Sequence, residues 1–312
     1  MTCDIIFRVE GPIFQAALSA HFTTHDGWNG LEGLSDEVRA KARVVVTNGT
    51  VGLTEAEMAM LPALSLVCAV GTGYEGVDVA AARARGIAVT HAAGINAQAV
   101  AEHALGMILA SVRRICRFDA SVRAGTWRGD VGTTRLVSGQ RLGVFGMGGI
   151  GQRTAPMAEA LGMRVAYCSR SPKDLPWDFH PDILSLAQHS DVLLLAAPGG
   201  PATHHAVTDA VLDALGPEGY VVNVGRGSLI HTPVLIAALE AGRIAGAALD
   251  VFEEEPNVPD ALRAHPAVVL SPHVAGLASD VQHQSAALIL RNIEAHLGGA
   301  PLHSPVPELA QP

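Results

Sequence analysis

The chain is poor in aromatic residues, with 7 Phe, 3 Tyr and 3 Trp among 312 positions. Its core must therefore come from Ala, Val, Leu and Gly. That mixture suits buried parallel strands covered by small-residue helices. Cysteine is also scarce. Cys3, Cys68, Cys116 and Cys168 are scattered, with no C-x-x-C, which excludes a disulfide framework and a zinc site and fits a reducing cytoplasm. Histidine is abundant, but no His/Cys/Asp cluster has metal-ligand spacing, so no metal is expected. Positive charge is in deficit: 21 Lys and Arg against 30 Asp and Glu leave −9. This argues against non-specific nucleic-acid binding and against an anionic membrane surface. An anionic small substrate would need a local cationic pocket. No apolar run approaches the length of a membrane span. Residues 1–9 lack a basic-then-apolar leader pattern, so a cytoplasmic location is expected.

What is present is length for two domains and an apolar half. Residues 4–9, 43–47, 66–70 and 87–90 read as buried strands. Short helices at 54–60 and 79–85 lie between them, and the second stops at Gly86. This is one small α/β unit. Residues 96–112 carry Val100, Ala104, Met107, Ile108 and Leu109 on one side of a long helix that leads into a second unit. Residues 113–139 read as irregular and hold Trp127. A loop that long usually has a task, here a subunit contact or an arm over a neighbouring site, against the alternative of a solvated loop.

From 141 onward, strands at 141–145, 164–168, 191–196, 220–224, 245–249 and 268–270 alternate with helices at 152–161, 181–189, 209–215 and 232–241. Six parallel strands with crossover helices make a doubly wound sheet. A last helix at 279–297 should return the chain to the first unit. The fold class expected is α/β: two Rossmann-like or flavodoxin-like domains, the smaller one discontinuous. The boundaries expected are 1–97 with 283–312 for a substrate-binding domain and 98–282 for a nucleotide-binding domain.

Between the strand at 141–145 and its helix stands Gly146-Met147-Gly148-Gly149-Ile150-Gly151. In this setting G-x-G-x-x-G predicts a dinucleotide. Gly146 permits the sharp turn, Gly148 lets a pyrophosphate approach the backbone, and Gly151 lets helix and strand pack closely. The helix N-terminus offers N–H groups and its positive end to the phosphates. An ordinary glycine-rich turn is the alternative.

The next strand ends at Ser169-Arg170-Ser171, with Lys173 close behind. An NAD-selective fold wants an acid there, about 20 residues past the glycines, for the ribose hydroxyls. A guanidinium and hydroxyls instead suit a 2′-phosphate, so NADP(H) is expected over NAD(H). The alternative is that Arg170 only stacks on adenine.

Arg226, Glu255 and His273 each follow a strand's C-terminal end, the edge where such sheets hold ligands. Gly71-Thr72-Gly73 follows a strand of the first unit, and its N–H groups could form a nest for a carboxylate. A plain βα turn is the alternative there.

These pieces together resemble the D-isomer-specific 2-hydroxyacid dehydrogenases over nearly the full chain. The matching stretches are Val70-Gly71-Thr72-Gly73, Asn96 with Val100-Ala101-Glu102-His103-Ala104, the glycine turn, residues 223–227, 250–256 and 271–276. The resemblance implies that Arg226, Glu255 and His273 form the catalytic set, with His273 as proton donor. It implies that Asp250 holds the nicotinamide carboxamide, with Val224, Gly225 and Gly276 also at the cofactor. It implies that Val70, Gly71, Thr72 and Gly73, with Arg226 and His273, receive the substrate.

Within the family, Ser169-Arg170 and the region from Leu215 to Arg226 look closest to the NADPH-dependent glyoxylate, hydroxypyruvate and hydroxyphenylpyruvate reductases. Phosphoglycerate dehydrogenases differ in cofactor signature and in having a regulatory extension. Formate dehydrogenases of this fold pair the histidine with Gln, where Glu255 stands here. The expected function is NADPH-dependent reduction of a small 2-oxo acid, glyoxylate or hydroxypyruvate, to the D-2-hydroxy acid. A larger aromatic or branched 2-oxo acid is the alternative, followed by a nucleotide-sensing protein like the C-terminal-binding corepressors. A homodimer is expected, with neither nucleic acid nor membrane as partner.

Overall fold

Val44-Val45-Val46 and Leu193-Leu194-Leu195 have no polar side chain to turn toward water, and all six residues are fully buried. Strands apolar on both faces need a cover on both faces, which is the setting of parallel sheets with crossover helices. The computed structural model describes residues 3–310. It contains two such sheets, one in each of two compact units, Met1–Asn96 with Leu277–Pro312 and Ala97–Gly276.

The first unit holds β1 (Asp4–Phe7), β2 (Thr23–Asp26), β3 (Ala42–Thr47), β4 (Leu66–Ala69) and β5 (Ala88–His91). All pairings are parallel, in the order β2-β1-β3-β4-β5, the flavodoxin-like arrangement. Alternate residues serve opposite faces. Ile5, Phe7, Val44 and Val46 pack with Leu18, Ile289 and Ile293 of helices Pro12–Ser19 and Ser279–Leu297. Ile6, Val45, Val67 and Val89 pack on the other side with Met58 and Ala82. The last long helix thus belongs to the first unit, which is discontinuous in sequence.

The second unit holds β6 (Arg141–Phe145), β7 (Arg164–Cys168), β8 (Asp178–His180), β9 (Val192–Leu195), β10 (Tyr220–Asn223), β11 (Gly246–Leu249) and β12 (Val268–Leu270). They form one parallel sheet in the order β12-β11-β10-β9-β6-β7-β8. The chain winds outward from β6 to β8, then returns to β9 and winds the other way. This is the Rossmann order, whose switch point lies between β6 and β9. One face is covered by helices Ala97–Val112 and Gly149–Ala160, the other by Ile183–Gln188, Asp209–Leu215 and Thr232–Glu240.

The structure corrects four local expectations. Each sheet has one more strand than the sequence suggests, β2 and β8. Both lie at a sheet edge, and Thr23-Thr24-His25-Asp26 is polar while β8 spans three residues. Neither offers an apolar run to read. Residues 113–139 are not wholly irregular, because Ile115–Arg123 is a helix. It starts at Arg114, in the left-handed region with φ 52° and no side-chain cap, so the usual start signal is missing. The helix after the glycine turn begins at Gly149, three residues earlier than expected.

Candidate functional site

Gly146 has φ 105°, and a Cβ there would lie 2.4 Å from the backbone nitrogen of Ala197. The turn after β6 therefore packs backbone to backbone on the segment after β9, at the switch point of the sheet. A Cβ at Gly151 would lie 2.6 Å from the carbonyl oxygen of Gly146, so helix and turn meet with no room for a side chain. Gly148 is the N-cap of helix Gly149–Ala160, and no side chain caps it. The first amides of the helix open onto a surface made of glycine backbone. That geometry fits a pyrophosphate, which the N–H groups and the positive helix end would hold.

At the end of β7, Ser169 Oγ donates to the Ser171 carbonyl at 2.7 Å. The Tyr167 hydroxyl donates to the Lys173 carbonyl and accepts from the Lys173 N–H, at 3.1 and 2.8 Å. The buried tyrosine thus fixes the course of the loop, while Arg170, Ser171 and Lys173 are exposed.

The loop after β10 is braced from within. Asn223 is fully buried. Its Nδ2 donates to the Arg226 carbonyl at 2.9 Å, and its Oδ1 accepts from the Gly225 N–H at 3.0 Å. Arg226 is half-buried, and its guanidinium donates to the Gly225 carbonyl at 2.8 Å. A Cβ on Gly227 would lie 1.9 Å from the carbonyl carbon of Phe252. Only glycine lets the Arg226 loop lie directly on the loop after β11.

That second loop carries Glu255, whose peptide bond to Pro256 is cis. Glu255 Oε1 accepts from the Phe252 N–H at 2.9 Å, and Oε2 accepts from His273 Nδ1 at 2.7 Å. An ionised carboxylate only accepts, so Nδ1 carries the proton and Nε2 is the nitrogen left to exchange one. His273 is held above the ordinary imidazole value, chiefly by the hydrogen bond to Glu255, against burial and the nearby Arg226 charge. For Glu255, burial opposes ionisation, but the His273 and Phe252 hydrogen bonds and the Arg226 charge hold it below the usual carboxylate range. The structure thus brings Glu255 and His273 into contact, with the Arg226 charge acting on both.

His273 has φ 55°, and Asp250 supplies the brace for this unusual backbone. The Asp250 carbonyl accepts from the His273 N–H at 2.7 Å. Its two carboxylate oxygens accept from the Val274 and Ala275 N–H groups, each at 3.0 Å. Asp250 is 1% exposed, and His103 Nε2 stands 3.5 Å from its Oδ1. The buried acid organises the His273 turn, a task its place in the motif does not reveal.

In the first unit, the Val70 to Gly73 turn is also well braced. Thr72 Oγ1 donates to Asn96 Oδ1 at 2.9 Å, the Thr72 carbonyl accepts from His91 at 2.9 Å, and the Gly71 carbonyl accepts from the Ala92 N–H at 2.8 Å. Among the described residues no His/Cys/Asp/Glu group is placed to hold a metal ion, and no helix is long and apolar enough to cross a membrane.

Residues 105–275 match the family model described as D-isomer specific 2-hydroxyacid dehydrogenase, NAD binding domain. The chain belongs to the D-isomer-specific 2-hydroxyacid dehydrogenases. It is an NAD(P)-dependent oxidoreductase of that family. It is 40% identical to a hydroxyphenylpyruvate reductase of Plectranthus scutellarioides, over 85% of each chain. It is 39% identical to a glyoxylate/hydroxypyruvate reductase of Arabidopsis thaliana, over 86% of each. Its fold matches an NADPH-dependent glyoxylate/hydroxypyruvate reductase of Sinorhizobium meliloti, solved with NADP and malonate. There the TM-score is 0.91 and the identity 35%, covering 99% of this chain and 98% of the other.

Because Glu255 is the main cause of the raised His273 value, Glu255→Gln should lower it. The imidazolium would then give way to the neutral ring at a lower pH. NMR titration of the His273 ring in both proteins checks this, and an unchanged midpoint would refute the role assigned to the pair.

Proposed function

We propose that this dehydrogenase reduces a small 2-oxo acid, of the glyoxylate or hydroxypyruvate class, to the D-2-hydroxy acid with NADPH. The hydrogen-bonded Glu255–His273 pair carries the reading, because the carboxylate orients the imidazole and favours its charged, proton-donating form. Arg226, Glu255 and His273 form the catalytic set. Bound NADPH would supply the hydride. Gly146, Gly148, Gly149, Ile150 and Gly151 would hold its pyrophosphate, and Ser169, Arg170, Ser171 and Lys173 its adenosine end. Val224, Gly225, Asp250 and Gly276 would hold its nicotinamide end.

Arg226 binds the substrate carboxylate and stabilises negative charge growing on the C2 oxygen. His273 donates the proton from Nε2 to that oxygen, and Glu255 keeps the ring charged and oriented. In the first unit, the braced Val70, Gly71, Thr72 and Gly73 turn is assigned to carboxylate recognition.

Removing the fixed cation in Arg226→Ala should lower kcat by roughly a hundredfold to a thousandfold. Losing the proton donor in His273→Ala should cost on the order of a hundredfold or more. NADPH affinity, read by fluorescence titration, should persist in both. Wild-type turnover in either variant would remove that residue from the catalytic set.

The cofactor preference rests on Arg170 and its hydroxyl neighbours, and it agrees with the NADP bound in the Sinorhizobium meliloti relative. A charge-assisted contact to the 2′-phosphate is worth about 1.5–3 kcal/mol. NADPH should then beat NADH by roughly tenfold to a hundredfold in kcat/KM, and Arg170→Ala should erode that margin. The similarity to a hydroxyphenylpyruvate reductase favours an aromatic 2-oxo acid as the second reading. Parallel assays of glyoxylate, hydroxypyruvate and hydroxyphenylpyruvate with both nucleotides decide both questions.

We also propose a homodimer. Ile115, Phe118 and Val122 share one stripe of the Ile115–Arg123 helix, and Ile115, Val122, Trp127 and Leu136 are exposed large apolar side chains. The exposed apolar stripe of this helix is the surface we assign to the contact. Val122→Asp should shift the protein toward monomer in light scattering, and a wild-type mass at every concentration would refute the assigned face.

A further inference from the structure

Two residues before Glu255, Glu253 makes a second carboxylate–histidine contact. Its Oε1 accepts from His205 Nε2 at 2.5 Å, and its Oε2 accepts from the Thr232 N–H at 2.9 Å. His205 lies in the loop that leaves β9. Thr232 ends the segment that carries Arg226, and Glu253 lies in the loop that carries Glu255. One carboxylate therefore ties three loops at the same edge of the sheet. The tie sits beside the backbone contact of Gly227 with residues 252 and 253, so it reinforces the place where the Arg226 and Glu255 loops touch.

The histidine is held as firmly as the acid. His205 has φ 50°, a backbone state that non-glycine residues keep only where surrounding contacts impose it. Its N–H donates to the Ser228 carbonyl at 2.8 Å. Its ring lies 3.8 Å from the ring of His204 and 4.6 Å from that of His231, centroid to centroid. The His205 ring stacks on His231 and is tilted against His204, and among the described residues no His/Cys/Asp/Glu group is placed to hold a metal ion. Burial opposes ionisation of Glu253, but the Thr232 N–H and His205 hold it below the usual carboxylate range.

We propose that Glu253 and His205 are positioning residues for the reaction: their contact fixes the Glu255 loop against the Arg226 loop, so that Glu255 reaches His273. The proposal rests on the reading of Arg226, Glu255 and His273 as the catalytic set.

The test compares Glu253→Gln, His205→Asn and the double variant in the full-length protein. Asn accepts a left-handed backbone but is too short to reach Glu253. The measurements are kcat and KM with NADPH and the best 2-oxo acid of the panel across pH, NADPH affinity by fluorescence, and Tm. A small misplacement of the acid–base pair should lower kcat on the order of tenfold or more in each single variant. The double variant should be no worse than the worse single, with KM and NADPH affinity unchanged. The alkaline limb of the reduction profile should move to lower pH, because His273 loses part of its hold on Glu255.

Wild-type kcat and pH profile in both singles would overturn the proposal. A lower Tm with an unmoved pH profile would reduce the contact to a structural one and overturn it too, as would additive losses in the double variant. His273→Ala separates the two levels. If it turns over normally, the catalytic reading fails. If it is inactive while both loop variants behave as wild type, only the positioning role fails.

Discussion

Parallel pairing is the constraint on which this molecule depends. In a parallel sheet every strand points the same way, so every loop that leaves a strand's C-terminal end opens at one edge. In the second unit Gly146 follows β6 directly, Ser169 follows β7, and Arg226 and His273 each lie three residues past β10 and β12. Residues far apart in sequence become neighbours because the strands before them are neighbours. The apolar strands Leu193-Leu194-Leu195 and Val221-Val222 are what make such pairing favourable, since only coverage on both faces removes them from water. Burial in the middle of the sheet thus determines what meets at its edge.

Convergence at an edge gives neighbourhood, not contact, and contact here is made by backbone. Gly146 against Ala197, Gly151 against Gly146 and Gly227 against Phe252 leave no space for a Cβ. Each brings two backbone segments closer than side chains would allow. Polar groups then lock the result: Asn223 inside its own turn, Asp250 across the amides of residues 274 and 275, and Glu253 from loop to loop. The buried Asp250 is satisfied by N–H donors, which is the condition for keeping a charge out of water.

The division between what the sequence discloses and what it hides follows the range of the interactions. The glycine turn, the strands flanking it and the long helix over residues 279–297 are local patterns with short periods, and they are legible. So is the doubly wound architecture, because it follows from alternation of such patterns. Arg226, Glu255 and His273 stand out because each sits just past an apolar run and within motifs that resemble one family. The edge strands β2 and β8 are hidden, since a polar or three-residue strand leaves no hydrophobic alternation. The Ile115–Arg123 helix is hidden because no capping side chain announces it. The Glu253–His205 contact spans 48 residues, and nothing in either local stretch names the other partner. Asp250 shows the same limit differently: its motif marks it as important, while its grip on the His273 turn appears only in three dimensions.

The charges in the second unit also explain how a chain with formal charge −9 can work on an anion. Glu255 is acted on by two cations, protonated His273 and Arg226, and both favour its ionised form. Arg226 opposes the charge on His273 while Glu255 supports it. The histidine therefore sits in a balance that an incoming anion would tip. In the proposed reaction the substrate carboxylate offsets the Arg226 charge, the smaller of the two influences that lower the His273 value, while burial and the raising contact with Glu255 stay in place. The arginine assigned to the substrate carboxylate thus also bears on both members of the acid–base pair, through charge alone.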